Sequence, residues 1–133
     1  MKKIFWCLTA LLGFSLLTAC IQVTKSTIYN RDVTEFAEWL ADSDLVLVDV
    51  RTAQEYADGH IEGAINIDIA DEQGFAKKIL ETYPKEQKIA VYCEDGTRAH
   101  QAATKLAHRG YNVLKLDGGI NAWKEANMPV VTP

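Results

Sequence analysis

The chain has 133 residues, 48% of them hydrophobic and 24% charged, with a formal net charge of −4 at pH 7. That composition belongs to one globular domain and excludes a disordered, collagen-like or low-complexity chain. An acidic surface repels phosphate backbones and so argues against a nucleic-acid partner.

The first twenty residues, MKKIFWCLTALLGFSLLTAC, place two lysines before an apolar run that ends in small residues. This is the charge, apolar and cleavage pattern of a secretory signal peptide, here residues 1–19. The run is shorter than the ~20 apolar residues that a spanning helix needs. Removing it with Lys2 and Lys3 takes the formal charge from −4 to −6. Residues 20–26 read as a short polar tether and residues 27–133 as the folded domain, with no internal repeat and no second domain.

Within the domain the patterns alternate. STIYN is a strand candidate, and DVTEFAEWLADS follows with Val33, Phe36, Ala37 and Leu40 at helical spacing. LVLVDV is a continuous apolar run of the kind found in buried parallel strands. RTAQEYADG predicts a short helical turn ended by Gly59, and AINID another strand. DEQGFAKKILETY is helical in pattern and stops before Pro84. KIAVYC is the next buried strand. TRAHQAATKLAHRG places Ala99, Ala102, Ala103, Leu106 and Ala107 on one helical face, with Gly110 as its C-cap. NVLKLDGG is the last strand candidate and INAWKEAN a final short helix. Strands alternating with helices predict an α/β domain, a mainly parallel central sheet with helices on both faces. Trp39 and Trp123 are expected as core anchors. The acids of IADEQ and KEQK are expected on solvated faces.

Cysteine usage singles out one position. The segment Leu17-Thr18-Ala19-Cys20 resembles the lipobox of bacterial lipoproteins. That resemblance implies cleavage before Cys20, diacylation of its thiol and acylation of its amine. Several acyl chains hold a protein firmly to a membrane where one holds it only marginally. Ile21, rather than aspartate, follows Cys20, which by analogy with enteric bacteria favours the outer membrane over the inner. The expected location is therefore the bacterial cell envelope, periplasm-facing and lipid-anchored. The alternative is an ordinary signal peptide with a chance cysteine. Cys7 leaves with the signal, so Cys93 is the remaining thiol of the mature domain. Exported proteins normally pair their cysteines. An unpaired one is a reactive thiol, an intermolecular partner or an inert buried residue.

Cys93 falls at the carboxyl end of a predicted parallel strand, where open α/β sheets bind ligands. The loop Glu94-Asp95-Gly96-Thr97 leads from it into a helix beginning near Arg98. Free N–H groups at a helix start and in such a loop stabilise a thiolate and attract an anion. Gly96 permits the tight turn. Arg98 adds a fixed charge and a planar set of donors for an oxyanion. Glu94 and Asp95 oppose part of this, unless they face solvent or cap loop N–H groups.

Two long segments carry a family resemblance. LVLVDVRTAQEYADGHIEGAINI resembles the first half of the rhodanese-homology signature, an aspartate ending a strand, an arginine two residues later, and then a GHIxGAxNI segment. KIAVYCEDGTRAHQAATKLAHRGYNVLKLDGGINAWKEANMPV resembles the second half, with its cysteine loop, its L…GY…V strand and its L.GG…W ending. The resemblance runs from about residue 27 to about residue 131, and a single-domain, exported member resembles the small periplasmic thiosulfate sulfurtransferases. It implies that Cys93 takes a sulfane sulfur from thiosulfate or another persulfide or polysulfide donor, becomes a persulfide, and passes that sulfur to a thiol or cyanide. This would be covalent ping-pong catalysis, without a metal or organic cofactor. The backbone N–H groups of Glu94, Asp95, Gly96, Thr97 and Arg98 would cradle the sulfur. Removing one comparable oxyanion donor costs ~10²–10³ in rate.

The spacing from Cys93 to Arg98 is C-x4-R. Related phosphatases and arsenate reductases carry one residue more, so the loop length favours sulfur over phosphate or arsenate chemistry. The acids at 94 and 95 depart from the family, where a basic or neutral residue often follows the cysteine. They predict a donor less anionic than thiosulfate, such as a polysulfide or a protein persulfide. Asp49 and Arg51 match the family's D-x-R and are expected as a structural ion pair near the site. His60, in GHIEGA, is expected as a hydrogen-bonded structural residue. His100 and His108 have no partners at metal-ligand spacing and are expected in solvent. Rival readings are a non-catalytic binding or regulatory module on the same fold, an oxyanion reductase or phosphatase, and a thiol-redox protein. The last is disfavoured by the lack of a resolving cysteine in the mature chain.

Overall fold

The computed structural model describes residues 25–133. Its elements follow the sequence patterns in order: β1 (Ile28–Arg31), α1 (Val33–Trp39), β2 (Leu45–Asp49), α2 (Ala53–Asp58), β3 (Ile65–Asn66), α3 (Glu72–Thr82), β4 (Lys88–Tyr92), α4 (Thr97–Ala107), β5 (Val113–Leu116) and α5 (Gly119–Glu125). Local chemistry sets several boundaries. The Asp32 carboxylate accepts the Glu35 N–H at 2.9 Å and starts α1. Thr52 and Glu55 form a reciprocal capping box that starts α2. The helix expected to reach Gly110 stops at Ala107. His108, Arg109 and Gly110 close it with a turn in which the Tyr111 N–H returns to the Leu106 carbonyl.

The five strands pair in the order β1-β5-β4-β2-β3, and every pairing is parallel. Alternation along the strands divides the core into two layers. Val48, Ile89, Val91 and Val113 face Phe75 and Ile79 of α3 and Ala99, Ala102, Ala103 and Leu106 of α4. Leu47, Ala90, Tyr92, Leu114 and Leu116 face Phe36 of α1 and Ile120 and Trp123 of α5. Helices therefore cover both faces, as a two-sided parallel sheet requires. Trp123 is buried, its ring edge-on to Phe36 and its indole N–H bonded to the Pro129 carbonyl. Trp39 departs from expectation. It ends α1 and is 43% exposed, because the core-facing stripe of that short helix is taken by Phe36.

This order places the site. From β4 the chain continues to β5 on one side, and from β2 it continues to β3 on the other. The carboxyl ends of β4 and β2 thus flank the point where the winding reverses, the crevice where open α/β sheets hold ligands. Cys93 follows β4 directly, and Asp49 ends β2.

Candidate functional site

The Cys93 side chain is fully buried, and its Sγ accepts a hydrogen bond from the Gly96 N–H at 3.0 Å. Gly96 is the N-cap of α4, so the sulfur sits where the helix begins and where backbone partial positive charge is concentrated. Asp95 does not point its charge freely at the thiol. Its Oδ1 accepts the Thr97 N–H at 2.9 Å and lies 3.9 Å from Sγ. The Thr97 backbone bond holds the Asp95 carboxyl below its ordinary value. Glu94 projects outward, its side chain 54% exposed.

The loop is fastened from behind by α5. The Ile120 N–H donates to the Cys93 carbonyl at 2.9 Å, and the Asn121 N–H donates to the Glu94 carbonyl at 3.1 Å. This contact requires glycine at 119. Its φ is +62°, and a Cβ there would lie 2.6 Å from the Cys93 carbonyl oxygen and closer still to the Glu94 carbonyl. Two helix starts, α4 and α5, therefore meet the same loop.

Arg98 lies in the first turn of α4, and two of its donors are taken up by Glu55. Nη1 bonds Glu55 Oε2 at 2.8 Å and Nη2 bonds Glu55 Oε1 at 2.9 Å, while Glu94 Oε2 approaches Nη2 at 3.7 Å. The Arg98 bond holds the Glu55 carboxyl at about 2, well below its ordinary value, and Glu55 in turn raises the Arg98 guanidinium. Two donors of the planar set expected to face an oxyanion are engaged by a residue 43 positions away.

Asp49 and Arg51 form a buried pair at 2.6 Å beneath the site. Arg51 also donates to the Gly59 carbonyl at 2.7 Å, and Asp49 accepts the Arg51 backbone N–H. Burial works against the Arg51 charge, but its bonds to Asp49 outweigh that and raise its pKa. The Tyr92 hydroxyl accepts the Ile61 N–H, and burial, followed by the Asp49 charge, raises its pKa. This network ties the end of β2 to the GHI segment. His60 is buried, stacked on Tyr56 at 3.8 Å, with Nδ1 3.0 Å from the Tyr56 carbonyl. Its backbone pairs with Val131 and pins the C-terminal segment. His100 is exposed on α4 and His108 is exposed in the turn that follows it. Cys20, the signal peptide 1–19 and most of the tether 20–26 lie outside the described residues.

A cleft of about 220 Å³ adjoins the loop, lined by Arg51, Glu55, Asp58, Gly59, Glu94 and Lys124. A more apolar groove, which includes Tyr29, Trp39, Leu45 and Ile89, lies by the amino ends of the strands, away from Cys93. Glu55 and Gly119 were not singled out from the sequence. The T-x-x-E spacing at 52–55 marks Glu55 as a capping residue, but nothing local marks its partner. Gly119 lies in the L.GG segment, whose need for glycine becomes visible only with the loop packed on it.

The fold and the site together define a parallel α/β domain with a cysteine loop at the reversal point of its sheet. The chain belongs to the rhodanese-like domain family, whose model matches residues 32–126. It is 36% identical over 104 residues to a sulfurtransferase of Allochromatium vinosum, covering 77% of this chain and 94% of that protein. It is 31% identical over 113 residues to the tRNA uridine(34) hydroxylase of Wigglesworthia glossinidia brevipalpis, of which the match covers 36%. Among solved structures, a rhodanese-related protein from Thermoplasma volcanium is similar with a TM-score of 0.68 and 28% identity, covering 79% of this chain and 99% of that one. The family and its sulfurtransferase relative support sulfur transfer as the general activity.

Proposed function

We propose that this protein is a sulfurtransferase that carries a sulfane sulfur on Cys93. The observation that carries this reading is the Gly96 N–H aimed at Sγ, at the start of α4. The same donor is placed to hold the persulfide anion once the sulfur is loaded. In the first half-reaction the thiolate attacks the outer sulfur of the donor. The donor's S–S bond breaks, and sulfite leaves thiosulfate, or a thiolate leaves a persulfide, with the electron pair. In the second, cyanide or a thiol attacks the terminal sulfur of the Cys93 persulfide and the thiolate returns. Arg51 and Asp49 hold the end of β2 beside the loop and take no proton. Cys93 is fully buried, so either substrate reaches it only when the groups around it shift.

The donor is less anionic than thiosulfate on this reading, since Glu94 and Asp95 flank the thiol. The protein is anchored by lipid on Cys20, faces the periplasm and sits in the outer membrane. The lipobox resemblance supports this, and Cys20→Ser releases the protein from membranes if it is right. Full membrane retention of that variant contradicts it.

A second reading has its own support. A fully buried Cys93 beside an Arg98 already paired to Glu55 also suits a non-catalytic binding module. Steady-state transfer separates the two. Thiocyanate formed from cyanide and a sulfane donor with ping-pong kinetics, and abolished by Cys93→Ser, supports the enzyme. No turnover with thiosulfate, polysulfide or an organic persulfide supports the module.

A further inference from the structure

Glu55 lies outside the cysteine loop, yet it holds the loop's only arginine. The two parallel bonds from Arg98 Nη1 and Nη2 are the strong, directional form of an ion pair. Glu55 is itself held, because its Oε2 accepts the Thr52 N–H at 2.9 Å and lies 3.1 Å from the Thr52 hydroxyl. It cannot turn away from Arg98 without disturbing the start of α2. Arg98 in turn has Glu94 on its other side at 3.7 Å. Glu55, Glu94 and Asp95 set three carboxylates about the Arg98 guanidinium beside the thiol, with Lys124 lining the same cleft as Glu55 and Glu94.

We propose that Glu55 is a specificity-determining residue. By holding Arg98 it withholds the guanidinium from the donor and selects persulfides of charge −1 or 0 over dianionic thiosulfate. The inference rests on the sulfurtransferase reading and deepens it. With a persulfide, the Cys93 thiolate attacks the terminal sulfur of R–S–SH, the donor's S–S bond breaks, RS⁻ leaves, and Cys93–S–SH remains. With thiosulfate, the same attack expels sulfite and leaves Cys93–S–S⁻, but it first brings two negative charges up to Glu55, Glu94 and Asp95. Backbone N–H groups serve both donors. A guanidinium freed from Glu55 would add a cation that favours the dianion.

The test is the ratio of kcat/KM for thiosulfate to that for 2-hydroxyethyl persulfide, measured in the wild type and in Glu55→Gln. Glutamine keeps an oxygen for the Thr52 N–H and removes the charge. The ratio rises about tenfold, through KM rather than kcat, and the gain shrinks at high ionic strength. Glu55→Ala loses the cap as well, yet shows the same change in ratio from a less stable fold. The change disappears when Glu55→Gln is made in an Arg98→Gln background, which a merely structural role would not produce. An unmoved ratio while the wild type accepts sulfur, or a gain that persists without Arg98, overturns the role of Glu55 and leaves sulfur transfer standing. Failure of every variant to accept sulfur from either donor overturns both.

Discussion

Gly119→Ala tests whether α5 positions the cysteine loop. Its methyl group would intrude on the Cys93 and Glu94 carbonyls, 2.6 Å from the first. Helix and loop would have to separate by about 1 Å to reach ordinary contact. Separation weakens the bonds from Ile120 N–H to Cys93 and from Asn121 N–H to Glu94, at about 1 kcal/mol each. Alanine at φ +62° adds about 1–2 kcal/mol. The sum, about 3–4 kcal/mol, lowers Tm by roughly 12–16 °C for a domain of this size. The displaced loop also loses the placement of Sγ against the Gly96 N–H, so the rate of sulfur loading falls ten- to a hundredfold, about the effect of a 1 Å misplacement. Gly118→Ala is the control. Its added methyl would lie 2.7 Å from the Ala122 side chain, with no loop carbonyl among its nearest neighbours. It lowers Tm and leaves loading by the folded protein near the wild-type rate. Calorimetry and a stopped-flow loading assay read both. Wild-type Tm and loading in Gly119→Ala would refute the reasoning, as would equal loading defects in the two variants.

Arg51→Met leaves Asp49 buried and unpaired and costs about 3–5 kcal/mol in urea unfolding, whereas pairing it with Asp49→Leu recovers most of that loss. Glu55 contributes stability that is full above its ordinary value of 4.5 and is lost as pH falls through about 2. The unfolded chain binds that proton first, so stability rises with pH across this window by about 1–2 kcal/mol after solvent screening, and Glu55→Gln flattens the acid limb of a denaturation series. Glu94→Arg raises thiosulfate turnover, most at low salt, because it reverses a charge at the loop. An unchanged or lower rate would place that carboxylate away from the bound donor.

The order of elements was readable because each pattern carries its own period. LVLVDV and KIAVYC could only be buried strands in a chain whose helices repeat at i, i+3 and i+4, and the two core layers follow from that alternation. The position of Cys93 was readable for the same reason, since the end of an apolar strand run is a local feature. What escaped was long-range and polar. Arg98 was expected to face the substrate because its sequence neighbours are the loop. Its actual partner arrives on α2 through folding. Asp95 is ambiguous in sequence because an acid before a helix either faces the thiol or caps loop N–H groups, and in the fold one oxygen does both, accepting the Thr97 N–H at 2.9 Å while lying 3.9 Å from Cys93 Sγ. Trp39 stays outside the core because a helix of 7 residues has room for one deep anchor, and Phe36 occupies that place.

The central claim is that Cys93 accepts a sulfane sulfur. Intact mass spectrometry of the reduced mature domain, incubated with polysulfide or thiosulfate and desalted without reductant, measures it directly. The account predicts a gain of one sulfur atom that is removed by cyanide or dithiothreitol and is absent in Cys93→Ser. No added sulfur from either donor, or the same gain in Cys93→Ser, would contradict it.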